Sequence, residues 1–265
     1  MRKRISAGLL ATIAALALAA CGSSGGGATT HASGASGGDL VVSAASSLTG
    51  AFTRYGGSFD GGAVRFSFAG SDELAAQIRQ GVKPDLFAAA NTRLPDALWR
   101  AGLVDRPVVF AGNRLVLAVP AASTKIRGVA DLAQSGTTIA IGSASVPIGA
   151  YTRTVLGRLG AARSKAVLAN VRSEEPDVKS IVGKLAEGAV DAGFVYVTDV
   201  DATDGKLRAI ELPAALQPHV AYAAAVVAGA PHAEAAQRFI TGLLHGAGAA
   251  DLRAAGFEPP PAGGA

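Results

Sequence analysis

Four short segments of the sequence place small, hydroxyl or proline residues where an apolar, strand-like run gives way to a helical pattern. A helix N-terminus carries N–H groups without intrahelical acceptors and about half a positive charge, so such a junction can bind an anion. One junction alone means little, because Ser at a helix start usually caps the helix. Four in one chain favour an anion site. The four segments are Ala45-Ser46-Ser47-Leu48, Ala69-Gly70-Ser71-Asp72, Val146-Pro147-Ile148-Gly149 and Glu175-Pro176-Asp177-Val178.

The elements that must position these junctions alternate along the chain from Asp39 onward. Short apolar strands and amphipathic helices of about ten residues predict an α/β architecture with mainly parallel sheets. In such sheets, ligands bind beyond the carboxyl ends of the strands, where helix N-termini converge. Predicted strands cover 40–42, 64–68, 85–90, 114–119, 138–141, 192–197, 207–212 and 222–228, and predicted helices cover 48–55, 72–80, 94–101, 129–134, 151–159, 178–187 and 233–244.

The start of the chain has the layout of an export signal. Arg2-Lys3-Arg4 precedes the apolar run Ile5–Ala20, which is short for a membrane span of about 20 residues. The run ends in Leu18-Ala19-Ala20-Cys21, which resembles the lipobox of bacterial lipoproteins. We therefore expect a diacylglyceryl group on the Cys21 thiol; an ordinary signal with a stray cysteine is the alternative. The Gly- and Ser-rich residues 22–38 predict a flexible tether.

Composition excludes several functional classes. The 265 residues are 49% hydrophobic and contain a single cysteine, which excludes extended disorder and a disulfide scaffold. Three of the 24 Lys and Arg residues lie in the first 20, and the remaining 21 face 20 acidic residues. No basic patch with interleaved aromatics occurs, so we expect no nucleic-acid partner. Widely spaced histidines and the lack of hydrolase, P-loop or zinc-protease motifs predict neither a metal-cation site nor a cofactor.

Beyond the junctions, the sequence resembles the molybdate-binding proteins of ABC transporters from residue 40 to about residue 257. The resemblance rests on the order and spacing of several segments, because no single segment is decisive. These segments are Val42–Leu48, Phe68-Ala69-Gly70-Ser71, Leu74–Ile78 with Gly81, Pro84-Asp85-Leu86-Phe87, Val146–Tyr151, Asp177-Val178, Gly193-Phe194-Val195-Tyr196 with Asp199, and Gly256-Phe257.

The resemblance implies a two-lobed periplasmic-binding-protein fold of type II. Each lobe would be a mainly parallel sheet flanked by helices, with the ligand in the cleft between the lobes. Residues 39–115 and 224–257 would form the first lobe, 116–223 the second, and 258–265 a disordered tail. The implied protein is an exported, non-enzymatic monomer. It captures molybdate, and tungstate as well, for an ABC permease and its ATPase, and Cys21 anchors it to the outer face of the membrane.

The resemblance also implies the binding residues. Ser47 and Ser71 of the first lobe offer hydroxyl and N–H groups, Ile148 and Val178 of the second lobe offer backbone N–H groups, and Tyr196 offers its phenol. Ser46 adjoins Ser47 and can share its donor role. All of these groups are neutral donors, which suits a tetrahedral dianion that carries no acidic proton.

Asp72 departs from the family pattern, which more often has a small or hydroxyl residue after the serine. We expect its carboxylate to face outward in the first turn of its helix, because turned inward it would repel an anion. Ile148 is bulkier than the alanine often found at its position, although only its N–H is used. Three alternatives remain: a binding protein for sulfate, phosphonate or another oxyanion, an enzyme on the same scaffold using Tyr196 or Asp72, and a purely structural lipoprotein.

Overall fold

The described part of the chain, residues 39–261 of a computed structural model, forms two five-stranded sheets flanked by helices. The predicted signal segment, Cys21, the tether and residues 262–265 lie outside the described residues. The strands, in chain order, are β1 (Leu40–Ala45), β2 (Val64–Ala69), β3 (Leu86–Ala89), β4 (Val108–Asn113), β5 (Leu115–Pro120), β6 (Ile139–Gly142), β7 (Val171–Glu175), β8 (Ala192–Tyr196), β9 (Leu207–Glu211) and β10 (Val220–Val226).

Helices connect most of these strands and cover both sheets. Short 3-10 helices occupy Ser46–Leu48 and Val129–Ala133. The α-helices are α1 (Thr49–Ser58), α2 (Ser71–Arg79), α3 (Arg93–Arg100), α4 (Pro147–Arg158), α5 (Ala161–Ala169), α6 (Val178–Ala186), α7 (Val197–Asp201), α8 (Ala233–His245) and α9 (Ala247–Ala254). Within residues 39–261, none of these helices combines the length and apolar character that a membrane crossing requires.

The two sheets repeat one design. Their strand orders are β2-β1-β3-β10-β4 and β7-β6-β8-β5-β9. In each sheet four strands run in one direction, and the fourth strand in the order, β10 or β5, runs against its two neighbours. The predicted α/β fold with two mainly parallel sheets is thus confirmed, with one antiparallel strand in each sheet.

The chain passes from one sheet to the other immediately before each antiparallel strand, β5 and β10. The first crossing is at Arg114, between β4 and β5, and the second lies between β9 and β10. The side chain of Gln217, in the second crossing, exchanges hydrogen bonds of 3.3 and 3.1 Å with the backbone N–H and C=O of Leu115. The two crossings therefore lie side by side, as a hinge between two lobes requires.

The crossings differ by a few residues from the lobe boundaries expected at 115/116 and 223/224. Leu115 already belongs to the second sheet, and residues 220–223 already belong to the first. The expected tail also begins too early, since Glu258 exchanges backbone hydrogen bonds of 2.8 and 3.0 Å with Gly112 of β4. The Glu258 carboxylate lies 3.2 Å from Arg114. These contacts hold the start of the proline-rich segment against the hinge.

Apolar strands explain why the central elements of each sheet are buried on both faces. Every residue of β3, β6, β8 and β10 is buried. Continuous apolar runs are typical of strands that helices cover on both sides. The 3-10 helix Ser46–Leu48 and helices α2, α4 and α6 begin within a few residues of the carboxyl ends of β1, β2, β6 and β7 respectively. The sheets therefore bring the four predicted junctions to the same side of each lobe, facing the cleft.

Candidate functional site

The four junctions and Tyr196 meet at one small cavity between the two sheets. All six residues predicted to bind the anion line this cavity, and their exposed fractions lie between 1% and 7%. The first sheet contributes three of them through the ends of β1 and β2, and the second sheet contributes three through β6, β7 and β8. The six residues are Ser46, Ser47, Ser71, Ile148, Val178 and Tyr196.

The cavity is suited to a small inorganic ion. Its volume is about 20 Å³, whereas sites for drug-sized organic ligands have volumes of about 300–1,000 Å³. In this closed arrangement of the lobes, the cavity has no room for a sugar phosphate or a peptide.

Two of the three serines on the first-sheet side, Ser47 and Ser71, have a polar partner on the side away from the cavity. The amide of Ala90 donates to Ser71 Oγ at 3.1 Å, and both residues are buried. Ser47 Oγ lies 3.0 Å from the hydroxyl of Tyr222, a residue of β10 that is completely buried. Ser46 also lines the cavity, and its carbonyl accepts a 2.7 Å hydrogen bond from the hydroxyl of Thr49.

The donors on the second-sheet side come mainly from helix starts. Pro147 is the first residue of α4 and Ile148 the second, while Val178 is the first residue of α6. Amides in these positions have no intrahelical acceptor. Asp177 also lines the cavity, but its Oδ1 accepts the 2.9 Å hydrogen bond that caps α6, from the amide of Ser180. The cap uses the carboxylate for the helix and leaves the Val178 amide for a ligand.

Tyr196 supplies the only phenol in the cavity lining within the described residues, and its hydroxyl is an unusual group. The side chain is 1% exposed, and its Oη has no hydrogen-bond partner among the described residues. Burial raises the pKa of the phenol well above its usual value of 10, with further raising effects from neighbouring tyrosines and Asp199. Buried hydroxyls are normally paired, so the Tyr196 hydroxyl is a candidate donor to a group bound in the cavity.

Asp199 stands directly behind this tyrosine and is itself buried. Its Oδ2 accepts a 3.2 Å hydrogen bond from the Tyr196 amide, and the ammonium of Lys179 lies 3.3 Å from its Oδ1. Burial raises the pKa of the Asp199 carboxyl to about 6, against the lowering effect of Lys179. The pair ties the start of α7 to the start of α6, and so fixes Tyr196 relative to Val178.

The lobes touch where Gly70 of the first meets Pro176 of the second. A Cβ atom built on Gly70 would lie 2.4 Å from the Pro176 carbonyl oxygen and 2.9 Å from Asp72 Oδ1. Asp72 is outside the cavity lining, although its Oδ1 is buried and has no partner among residues 39–261. A close approach of two backbones therefore closes one side of the cavity, and only glycine permits it.

Basic side chains lie next to the cavity but are absent from its lining in the described chain. Ser47 also borders a wider cleft of about 380 Å³, lined from both lobes, that includes Arg54, Lys179 and Arg253 together with Asp201. The structure thus separates two environments, a small cavity rich in hydrogen-bond donors, whose one charged lining residue among those described is Asp177, and a larger cleft that carries basic side chains. Among residues 39–261, no three His, Cys, Asp or Glu side chains are placed to hold a metal ion.

The sequence prediction missed the groups behind the binding residues. Tyr222 lies in an apolar strand run, and the Ala90 amide and the Gly70–Pro176 approach carry no side-chain signal at all. Ser71 and Ala90 are 19 residues apart and Ser47 and Tyr222 are 175 apart, so both contacts appear only when the first sheet is folded.

Comparison with known proteins gives consistent matches. Residues 40–258 match the sequence profile of the bacterial extracellular solute-binding proteins. The molybdate-binding protein ModA of Mycobacterium tuberculosis is 34% identical over 262 residues, which cover 97% of this chain and 98% of that protein. The structure superposes with a TM-score of 0.74 on the periplasmic molybdate-binding protein of Azotobacter vinelandii, at 24% identity over 84% of this chain and 100% of that one. The M. tuberculosis sulfate-binding protein SubI has the same TM-score at 18% identity, covering 83% of this chain and 86% of that chain.

Proposed function

Because the chain belongs to the bacterial extracellular solute-binding proteins, we propose that it binds molybdate outside the cytoplasm and delivers it to an ABC importer. It acts as a binding protein rather than as an enzyme. The 34% identity to a ModA protein along nearly the whole chain supports this ligand. The fold by itself does not select the anion, since a sulfate-binding protein shares it.

The observation that carries the proposal is a cavity that neutral donors line, with the Asp177 carboxylate as its one charged group in the described lining. Hydroxyls of Ser47, Ser71 and Tyr196 and amides of Ile148 and Val178 surround a space for a small ion, without a lysine or arginine in the described lining. Molybdate and tungstate near neutral pH carry no proton and accept hydrogen bonds only. Phosphate carries a proton that needs an acceptor, and the lining offers one carboxylate, Asp177, whose Oδ1 caps α6 and whose Oδ2 faces the negative charge of any bound anion only at an electrostatic cost.

The energies permit tight binding without a cation. A hydrogen bond to a charged group contributes about 1.5–3 kcal/mol, so five contribute roughly 8–15 kcal/mol before the cost of desolvating the dianion is subtracted. Micromolar affinity needs about 8 kcal/mol net. The helix starts at Ile148 and Val178 add the favourable ends of two helix dipoles.

Binding and lobe closure are the same event in this proposal. Donors from the first sheet and from the second sheet face a single ion, so the full set is available only when the lobes meet. Closing the hinge around the ion buries it and presents a shape that the permease can distinguish from the open form. We propose tungstate as a second ligand, because it is also a tetrahedral dianion.

We further propose that the protein is a monomer held at the outer face of the membrane through lipid on Cys21. The basic and apolar leader and the lipobox-like Leu18–Cys21 support this anchoring. Two acyl chains suffice for stable attachment, whereas one is marginal. Substitution Cys21→Ser should move the protein from the membrane fraction to the medium or periplasm and abolish labelling with a radioactive fatty acid. Unchanged labelling would contradict the anchor.

A thermal-unfolding series tests the ligand. Ligand at 100 times its dissociation constant raises the free energy of unfolding by about 2.7 kcal/mol, so millimolar molybdate and tungstate should each raise the melting temperature by several degrees. Phosphate at the same concentration and ionic strength is the control and should give no shift. A shift with sulfate or a phosphonate, but none with molybdate or tungstate, would identify a binding protein for another oxyanion.

A further inference from the structure

Ser71 and Ser47 occupy equivalent positions, each just after a parallel strand of the first sheet. For Ser71 the direction of its hydrogen bond is fixed, because the partner is the backbone amide of Ala90 at 3.1 Å and an amide can only donate. Ser71 Oγ is therefore an acceptor on the protein side. Its own O–H proton remains available to point into the cavity.

For Ser47 the partner is a hydroxyl, so the distance alone does not fix the direction. Ser47 Oγ and Tyr222 Oη lie 3.0 Å apart, and either oxygen could donate. The chemistry of the ligand decides, and this step rests on the proposed function. An anion that only accepts hydrogen bonds requires Ser47 to donate to it, which leaves the Ser47 oxygen to accept from Tyr222.

The backbone around Tyr222 supports a specific placement of its side chain. The pairing of β10 with β4 shifts register between Tyr222 and Ala223. Tyr222 pairs with Ala111 and Ala223 pairs with Val109, so Phe110 of β4 is skipped. Such irregularities redirect side chains and are frequent beside binding sites. The rings of Tyr196 and Phe257 pack edge-on against Tyr222 at 5.7 and 5.4 Å. Burial raises the pKa of the Tyr222 phenol well above 10, so the hydroxyl keeps its proton.

We propose that Tyr222 is a positioning residue for the bound anion, which donates its hydroxyl proton to Ser47 Oγ and thereby directs the Ser47 proton into the cavity. Tyr222 does not line the cavity, so its effect on the anion acts through Ser47. Its role parallels that of the Ala90 amide behind Ser71. Ser47 and Ser71 are thus each oriented by a donor on the side away from the cavity.

A double-mutant cycle tests this role, with affinity for molybdate measured by calorimetric titration of wild type, Tyr222→Phe, Ser47→Ala and the double variant. We expect Tyr222→Phe to weaken binding about three- to tenfold in the wild-type background, as for loss of one neutral hydrogen bond. In the Ser47→Ala background it should have no further effect, because the hydroxyl that it orients is gone. An equal effect in both backgrounds, or none in the wild type, would overturn the proposal.

Tyr55→Phe is the matched control. Tyr55 is also buried in the first lobe, and its hydroxyl donates to the Phe239 carbonyl at 3.3 Å, away from the cavity. This variant should lose stability without losing affinity. A wild-type protein that binds no molybdate would refute the proposed function, whereas normal wild-type binding with an additive cycle refutes the positioning role alone.

A second measurement applies if Tyr222→Phe does not fold. In a crystal structure of the wild type with molybdate, Ser47 Oγ should lie within about 3.2 Å of both an anion oxygen and Tyr222 Oη. A separation between the two side chains of more than about 3.5 Å in the complex would overturn the proposal.

Discussion

The two halves of the cavity present different kinds of hydrogen-bond donor. The first-sheet half uses side-chain hydroxyls, Ser47 and Ser71, and each already has a polar partner inside the protein. The second-sheet half uses backbone amides at the starts of α4 and α6, and the phenol of Tyr196, which has no partner within residues 39–261. In the first-sheet half, hydrogen bonds from other protein groups orient the donors. In the second-sheet half, helix geometry and side-chain packing orient them.

This difference determines what a mutation can do on each side. A hydroxyl can be removed by one substitution, but the supporting group behind it then loses its partner as well. An amide belongs to the backbone, so the side chain at its position is free to vary. This explains why isoleucine at position 148, in place of a smaller residue, is compatible with binding in our proposal. The following predictions use molybdate affinity as the readout and begin with the largest expected effect.

Val178→Pro should weaken binding about 100-fold or more. Proline lacks the N–H, and its ring occupies the direction in which that proton points. The helix itself should survive, because proline is favoured at the first helical position and the preceding Asp177 is already extended at φ −157° and ψ 171°. Ala161→Pro, at the first position of α5, is the control and should bind normally. Normal binding by Val178→Pro would show that the Val178 amide does not donate to the anion.

Ser71→Ala should weaken binding about 10- to 100-fold, as for loss of one hydrogen bond to a charged group. It should also lower the free energy of unfolding without ligand by about 1–3 kcal/mol, because the buried Ala90 amide is left without its acceptor. Calorimetric titration and chemical denaturation measure the two effects separately. Unchanged affinity would place the anion elsewhere.

Tyr196→Phe should weaken binding without lowering stability, whereas Ser71→Ala should lower both. We expect about tenfold weaker binding, since one donor is lost. Stability without ligand should stay the same or rise by up to about 1 kcal/mol, because the removed hydroxyl has no partner in the described protein. A loss of stability as large as that of Ser71→Ala would mean that the hydroxyl is paired in the free protein.

Gly70→Ala should weaken binding about fivefold by acting on the contact between the halves rather than on a donor. Its Cβ would lie 2.4 Å from the Pro176 carbonyl oxygen, so the lobes must stay slightly apart, at a cost of about 1 kcal/mol or more. Small-angle scattering should show less compaction on adding molybdate than in the wild type. Gly183→Ala is the control, because a Cβ atom at this position of α6 meets no other atom within 4 Å. This variant should compact on adding molybdate as the wild type does.

The smallest expected effect is that of pH between 7 and 9, over which affinity should change by less than about twofold. Amides and alcohols do not titrate in this range. Burial raises the pKa of the Tyr196 phenol above its usual 10, so the donor is lost only at still higher pH, and the Asp199 carboxyl, with a pKa of about 6, is already ionised. A tenfold loss per pH unit would indicate a titrating donor in the site.

Much of the fold was predictable because local patterns and architecture agree. The alternation of apolar strands with helices ending at glycine predicted the α/β class, and the predicted strand at 64–68 coincides with β2 almost residue for residue. Strands β4 and β7 and helices α5, α7 and α9 were not predicted. The half-exposed β7, Val171–Glu175, carries three charged residues at the edge of its sheet, so its sequence lacks an apolar run.

The candidate site was predicted less completely than the fold. The positions that line the cavity were suggested by a family resemblance and by small residues at helix starts, both of which are local in sequence. The supporting contacts are not local, since Ser47 and Tyr222 are 175 residues apart. Asp72 illustrates the same limit. Its carboxylate was expected to face outward, but its Oδ1 is buried beside the Gly70–Pro176 contact, outside the cavity lining.

The most direct test of the central claim is a crystal structure of the protein with molybdate, located by the anomalous scattering of molybdenum. We expect one ion between the two sheets, with its oxygens within about 3.2 Å of Ser47 and Ser71 Oγ, the Ile148 and Val178 amides and Tyr196 Oη. An ion held by the side chains of Arg54, Lys179 or Arg253 in the neighbouring cleft, or one whose oxygens contact only one lobe, would contradict the account.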